Sequence, residues 1–152
     1  PVIKGKTYTS RGTLKLDYRE NEESKHFLQQ VKVIKLDDWA GLESLKKIDF
    51  IKIDVEGNEM NTLRGAKKIL EEYRPTLMVE MEQRHHSEPL PELIHEIENW
   101  GYGAFFLNRT TFELEKLTEN IITGTDGNRV SSKAAYINNI IFIPQPLKNT
   151  RQ

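Results

Sequence analysis

Residues 49–82, DFIKIDVEGNEMNTLRGAKKILEEYRPTLMVEME, constrain the fold more than any other stretch. The apolar run from Asp49 to Val55 predicts a buried strand that ends at Gly57. From about Glu59 to Tyr73, the apolar residues Met60, Leu63, Ile69, Leu70 and Tyr73 recur at helical spacing, with Ala66 filling a turn between them. Glu59 in the first turn suits the helix dipole. Gly65 inside the helix costs about 1 kcal/mol relative to alanine, which points to close backbone packing there. Arg74-Pro75 stops the helix, and Thr76–Met81 reads as a second buried strand. A strand, a crossover helix and a second strand form the unit of a parallel α/β sheet.

The rest of the chain extends this unit. Val31–Leu36 reads as a short strand, after which Asp37 or Asp38 caps a short helix carrying Trp39, Leu42 and Leu45 inward. A helix over Leu90–Trp100 buries Leu93, Ile94, Ile97 and Trp100 and stops at Gly101. Tyr102–Leu107 and Ala134–Ile143 are further strands. The segment 108–133 reads as irregular, with a turn at 124–127. The last two strands, with no helix pattern between them, form an antiparallel pair at one edge. The expectation is a single domain over 1–152. Residues 1–30 hold a hairpin centred on Ser10–Thr13 and a charged loop at 19–25, 31–144 form the core, and 145–152 a polar tail.

Charge narrows the function. Lys plus Arg number 22 against 23 Asp plus Glu, so no basic surface for nucleic acid or anionic membrane is expected. The chain has no cysteine, which excludes disulfides, thiol chemistry and cysteine-ligated zinc. No apolar run approaches the ~20 residues of a membrane span. A cytoplasmic protein is the expectation.

The acids are not scattered. In α/β sheets, ligands bind beyond the carboxyl ends of the strands. Asp54 and Glu56 leave the first buried strand there, and Glu80 and Glu82 leave the second. Lys52 shares the strand face of Asp54 and Glu56 by the two-residue period. Neighbouring strands would bring four carboxylates to one rim, where like charges raise each other's pKa or recruit a cation. A plainer reading pairs Lys52 with Asp54 and leaves the other acids in water. His85 and His86 follow on the same loop, either solvated or available as a general base or metal ligand. His95 and His26 read as structural, and Trp39 and Trp100 as core.

The segments IDFIKIDVEGNEMNTLRGAKKIL, RPTLMVE, GYGAFFL and NNIIFIP, preceded by VKVIKLDDW, resemble the FkbM family of S-adenosylmethionine-dependent methyltransferases. The resemblance runs over roughly residues 31–144 and implies a class I, Rossmann-like fold: a doubly wound, mostly parallel sheet with an antiparallel C-terminal edge pair. It implies methyl transfer to a hydroxyl of a sugar, glycolipid or polyketide-type product, with Asp54 and Glu56 near the methyl and the acceptor. On this basis Asp54, Glu56, His85 and His86 are candidate catalytic residues, and Lys52, Gly57, Glu59, Glu80 and Glu82 candidate acceptor-binding residues. A divalent ion on Asp54, Glu56 and Glu80 is an alternative way to activate the acceptor.

In that family a glycine-rich turn after the first strand holds the cofactor, and no such turn precedes Val31. The expectation is therefore the C-terminal part of the domain, truncated at its N-terminus, with cofactor-binding residues unassigned and an exposed sheet edge open to homo-oligomer formation. Two rival readings remain. One is a non-catalytic interaction module derived from a methyltransferase. The other is a metal-dependent nuclease or phosphohydrolase, disfavoured because Glu80-Met81-Glu82 lacks the lysine two residues after a glutamate.

Overall fold

The structure is a computed structural model that describes residues 2–3, 6–7, 30–118 and 137–146. Strands β1 (Val2–Ile3) and β2 (Lys6–Thr7) pair antiparallel. Lys6 and Thr7 thus find their partner upstream. The partner expected at Leu14–Leu16, the charged loop, His26 and the turn at 124–127 lie outside the described residues.

A five-stranded sheet forms from β3 (Phe50–Ile53), β4 (Thr76–Glu80), β5 (Tyr102–Leu107), β6 (Leu114–Lys116) and β7 (Asn139–Pro144), in the order β3-β4-β7-β5-β6. Between β3 and β4 lie α1 (Glu59–Arg64) and α2 (Lys67–Tyr73), and between β4 and β5 lies α3 (Leu90–Asn99). β3 and β4 pair parallel, with Ile53 opposite Val79. β7 runs antiparallel to both β4 and β5. The domain is therefore mixed α/β with an open sheet. The expected antiparallel pair, β5 with β7, is present but does not lie at the edge. β7 inserts between β4 and β5, and β6 takes the edge by a hairpin to β5. That hairpin falls in the stretch read as irregular. Asn108 closes it, its Oδ1 accepting from the amides of Thr110 and Thr111 at 2.8 and 3.2 Å, which is the short-range chemistry of an Asx turn.

The expected single helix over 59–73 is two. The chain breaks at Gly65-Ala66, and the Gly65 carbonyl accepts the Asp37 amide at 3.0 Å. The carboxylate of Asp37 then accepts from the amides of Lys68 and Ile69 at 3.0 and 3.2 Å. Asp37 caps α2 from outside its own segment instead of opening a helix of its own. Its own segment forms only two short 3-10 turns, Leu36–Asp38 and Ala40–Ser44, joined through an extended Trp39. No shared inward face results, so Trp39 and Leu45 are exposed and do not join the core. Val31–Leu36 is likewise not a strand. With no pairing partner among the described residues, its apolar pattern alone does not build one, and Val33 is 66 % exposed.

One face of the sheet carries the core. Leu77, Val79, Phe142, Ile140, Ala104 and Ile53 share that face by register. They join the stripes of α1 and α2 (Met60, Leu63, Leu70) and α3 (Leu93, Ile94, Ile97) in one cluster. Each of these side chains other than Ala104 contributes about 1.5–3 kcal/mol by leaving water. On the other face Phe50, Leu107 and Leu114 stay exposed. At the amino end of β4, Arg74 adopts a left-handed φ of 46° that ends α2. Its guanidinium donates to the carbonyls of Gly101 and Gln145 at 3.0 and 2.8 Å and lies 5.7 Å from the Tyr102 ring centre. This ties β4, β5 and the segment after β7 together at the end opposite the carboxylates. No helix among the described residues is long and apolar enough to cross a membrane.

Candidate active site

Because β3 and β4 are parallel neighbours in register, their carboxyl ends deliver Asp54 and Glu80 side by side. Lys52, also on β3, donates to Asp54 Oδ2 at 2.8 Å, and that bond holds the ammonium pKa above its ordinary value. Both side chains are about half exposed, so the pair orients more than it stabilises. Glu80 has a different environment. Burial first, then the neighbouring charge of Asp54, push its carboxyl above the ordinary range. Glu82 adds to this, while a 2.9 Å hydrogen bond from Asn138 Nδ2 and the charge of Lys52 offset part of it.

Beyond Asp54 the strand alternation ends. Glu56 and Gly57 both take left-handed backbone, at φ 51° and 94°. A positive φ is uncommon for a side chain such as glutamate, so this turn needs support. Glu59 supplies it. Its Oε1 accepts the amides of Gly57 at 2.9 Å and Val55 at 3.3 Å, a carboxylate seated in a concavity of main-chain donors. The turn sends the Glu56 side chain toward the loop leaving β4, where its Oε2 lies 3.2 Å from His85 Nε2. Glu82 Oε2 is 4.0 Å from the same nitrogen and also pairs with Arg84. Glu56 and Glu82 thus meet around one imidazole, as Asp54 and Glu80 meet beside one lysine.

The loop is held by Gln83. Its amide nitrogen donates to the carbonyls of His86 and Glu88, and its oxygen accepts the Leu90 amide at the start of α3. Neither histidine is solvated, because both find carboxylates from the β3 exit; their side chains are 6 % and 5 % exposed. His86 Nε2 lies 3.1 Å from Glu59 Oε2, an ion-pair contact between two atoms closed off from solvent, neither of which makes a directed hydrogen bond. Burial works to push the Glu59 carboxyl up, but His86, the Gly57 amide and its own amide prevail and hold it below the ordinary range. Glu59 is only 2 % exposed, so it faces the interior and not an acceptor. His95 sits apart on α3, its Nδ1 3.2 Å from the Pro91 carbonyl.

The divalent-ion alternative on Asp54, Glu56 and Glu80 is not supported by this arrangement. Among the described residues no three His, Asp or Glu side chains come together as a metal-binding group. Each of the three acids is engaged elsewhere: Asp54 by Lys52, Glu56 by His85, Glu80 by Asn138. Asn138 was missed from sequence, although a polar Asn138-Asn139 pair heading an otherwise apolar strand was the available signal.

The family model of the methyltransferase FkbM domain matches residues 3–103, two-thirds of the sequence. The chain belongs to the FkbM methyltransferase family. The FkbM match contains both strand exits and the His85-His86 loop, whereas Asn138 on the approach to β7 lies beyond it. Searches of curated proteins and of solved structures return no match.

Proposed function

We propose that this chain is the acceptor side of an S-adenosylmethionine-dependent O-methyltransferase domain, within a Rossmann-like, doubly wound fold, acting on a hydroxyl of a sugar, glycolipid or polyketide-type product. One observation carries the reading: Asp54, fixed by Lys52, stands next to a Glu80 whose carboxyl is more basic than usual, at the carboxyl ends of two parallel strands.

The residues fit the cofactor's chemistry in two respects. A rim of carboxylates suits the positive charge of a sulfonium. A pocket of about 640 Å³ is walled by Val33, Ile34, Leu36 and Trp39 and edged by Asn61 and by Asn58, the residue after Gly57. Its size lies within the range of small-molecule sites, and its apolar wall with amide edges suits a nucleoside. When bound, S-adenosylmethionine supplies a methyl group on an electrophilic sulfonium. The protein's task is then to orient the acceptor hydroxyl and remove its proton. Asp54 accepts the hydroxyl hydrogen bond in an orientation set by Lys52. Glu80, its carboxyl held above the ordinary range by burial and the neighbouring charge, takes the proton, and Asn138 keeps its other oxygen in place. Glu56 with His85 forms a second acidic edge that holds neighbouring hydroxyls.

The test is transfer of labelled methyl from S-adenosylmethionine to a panel of polyhydroxylated acceptors, with Asp54→Asn and Glu80→Gln compared with wild type. General-base loss costs about 10²–10⁴-fold. Turnover unchanged in both variants removes the rim from the mechanism. The exposed sheet face at Phe50, Leu107 and Leu114 favours a second reading, an interaction module that pairs with a further chain. Absence of S-adenosylmethionine or S-adenosylhomocysteine binding by calorimetry, both in this chain and in any longer form that carries the family's glycine-rich turn, puts that reading ahead.

A further inference from the structure

We infer that Glu59 and His86 are a positioning pair, a buried clamp that holds the exit of β3 to the loop leaving β4 and so decides where Glu56 and His85 face. The inference deepens the proposed acceptor site and rests on it for its purpose, but not for its test. Both side chains are buried, Glu59 at 2 % and His86 at 5 % exposure, so neither reaches an acceptor. A carboxylate in that setting is costly unless every oxygen is engaged. Here Oε1 takes the two amides that flank Glu56, and Oε2 faces His86 at 3.1 Å. One side chain therefore supports the left-handed backbone at Glu56 and, with its other oxygen, grips a loop more than twenty residues away in sequence. That loop carries Glu82, Arg84 and His85, the other charged or titratable groups at the junction. The Glu56–His85 contact at 3.2 Å is built on the clamp and not the reverse, because Glu56 itself is about one-third exposed and its backbone conformation is the one that needs support.

The clamp makes a cross-segment prediction. The amides of Val55 and Gly57 bond to Glu59, and the amides of His85 and His86 bond to the carbonyls of Glu82 and Gln83 within their own loop. In His86→Gln, hydrogen exchange at Val55 and Gly57 accelerates by about tenfold or more, although neither amide touches His86. In Glu59→Gln, which keeps an oxygen for the two amides, exchange accelerates at His85 and His86. The ¹⁵N resonance of His85 Nε2 gives the site-specific signature: in His86→Gln it moves to the position that Glu56→Gln produces, in protein that remains folded by circular dichroism. Exchange changes confined to the mutated segment, with the His85 resonance at its wild-type position, overturn the clamp. Either variant alone decides the matter if the other fails to fold. No methyl donor or acceptor enters the measurement, so failure of the clamp and failure of methyl transfer are read separately.

Discussion

Replacing Asp37 with alanine tests whether the segment before the sheet is fastened as described. A helix of seven residues leaves most of its first amides without an intrahelical partner. Two of them, at Lys68 and Ile69, are satisfied by Asp37 at 3.0 and 3.2 Å, and the helix's own flanking residue, Ala66, offers no side-chain cap. Loss of a capping side chain costs about 0.5–2 kcal/mol. With two bonds lost and the backbone bond to Gly65 retained, about 1.5 kcal/mol is the expected figure. For a chain of this length that lowers the thermal midpoint by about 3–6 °C. Urea and thermal unfolding followed by far-UV circular dichroism measure it. Asp37→Asn, which keeps an acceptor, loses less. Asp38→Ala, the control one residue on, stays within about 0.5 kcal/mol of wild type. If Asp37→Ala and Asp38→Ala unfold together, Asp37 does not cap α2.

Phe142, fully buried at the centre of the sheet, should cost about 3–5 kcal/mol on replacement by alanine; a urea midpoint within error of wild type would place β7 elsewhere. Gly101→Ala puts a side chain at φ 86° with the Arg74 guanidinium 3.3 Å from the new Cβ, so it should destabilise by about 1 kcal/mol or more in the same assay. Glu59 has a folded pKa below its unfolded one, so its contribution is present above the ordinary carboxyl range and is lost as pH falls through the depressed folded value. Unfolding free energy measured from neutral to acid pH should therefore fall more steeply in wild type than in Glu59→Gln, the two curves converging at the acid end. Parallel curves would mean that Glu59 is not held below the ordinary range.

The parallel unit β3-α1-α2-β4 was legible because its signals are local: an apolar run, a helical stripe, and Arg74-Pro75 as a stop. Even the break at Gly65 had a signal, since a mid-helix glycine implied close backbone approach, which Asp37 provides. What could not be read depended on partners far along the chain. Val31–Leu36 has the composition of a strand but no neighbour to pair with. Asp37 looked like the cap of its own turn and caps a helix thirty residues on. His85 and His86 sit in a polar stretch that local reasoning leaves solvated; they are buried because Glu56 and Glu59 meet them from another strand. The place of β7 between β4 and β5 follows from long-range pairing that the run NNIIFI does not encode by itself. The acids Asp54, Glu56, Glu80 and Glu82 were visible as violations of strand burial. Glu59 shows the limit of that logic: it belongs to the same motif, yet it faces inward.

The central claim is that acids from two adjacent strand exits act on one another as a single site. Carbon-detected NMR titration of the Glu80 carboxyl, in wild type and in Asp54→Asn, tests it without donor or acceptor. Glu80 should titrate above the ordinary glutamate range in wild type and shift downward in the variant, which removes the like charge and leaves Lys52 free to face Glu80. A Glu80 midpoint in the ordinary range, or one that Asp54→Asn does not move, would contradict the shared rim.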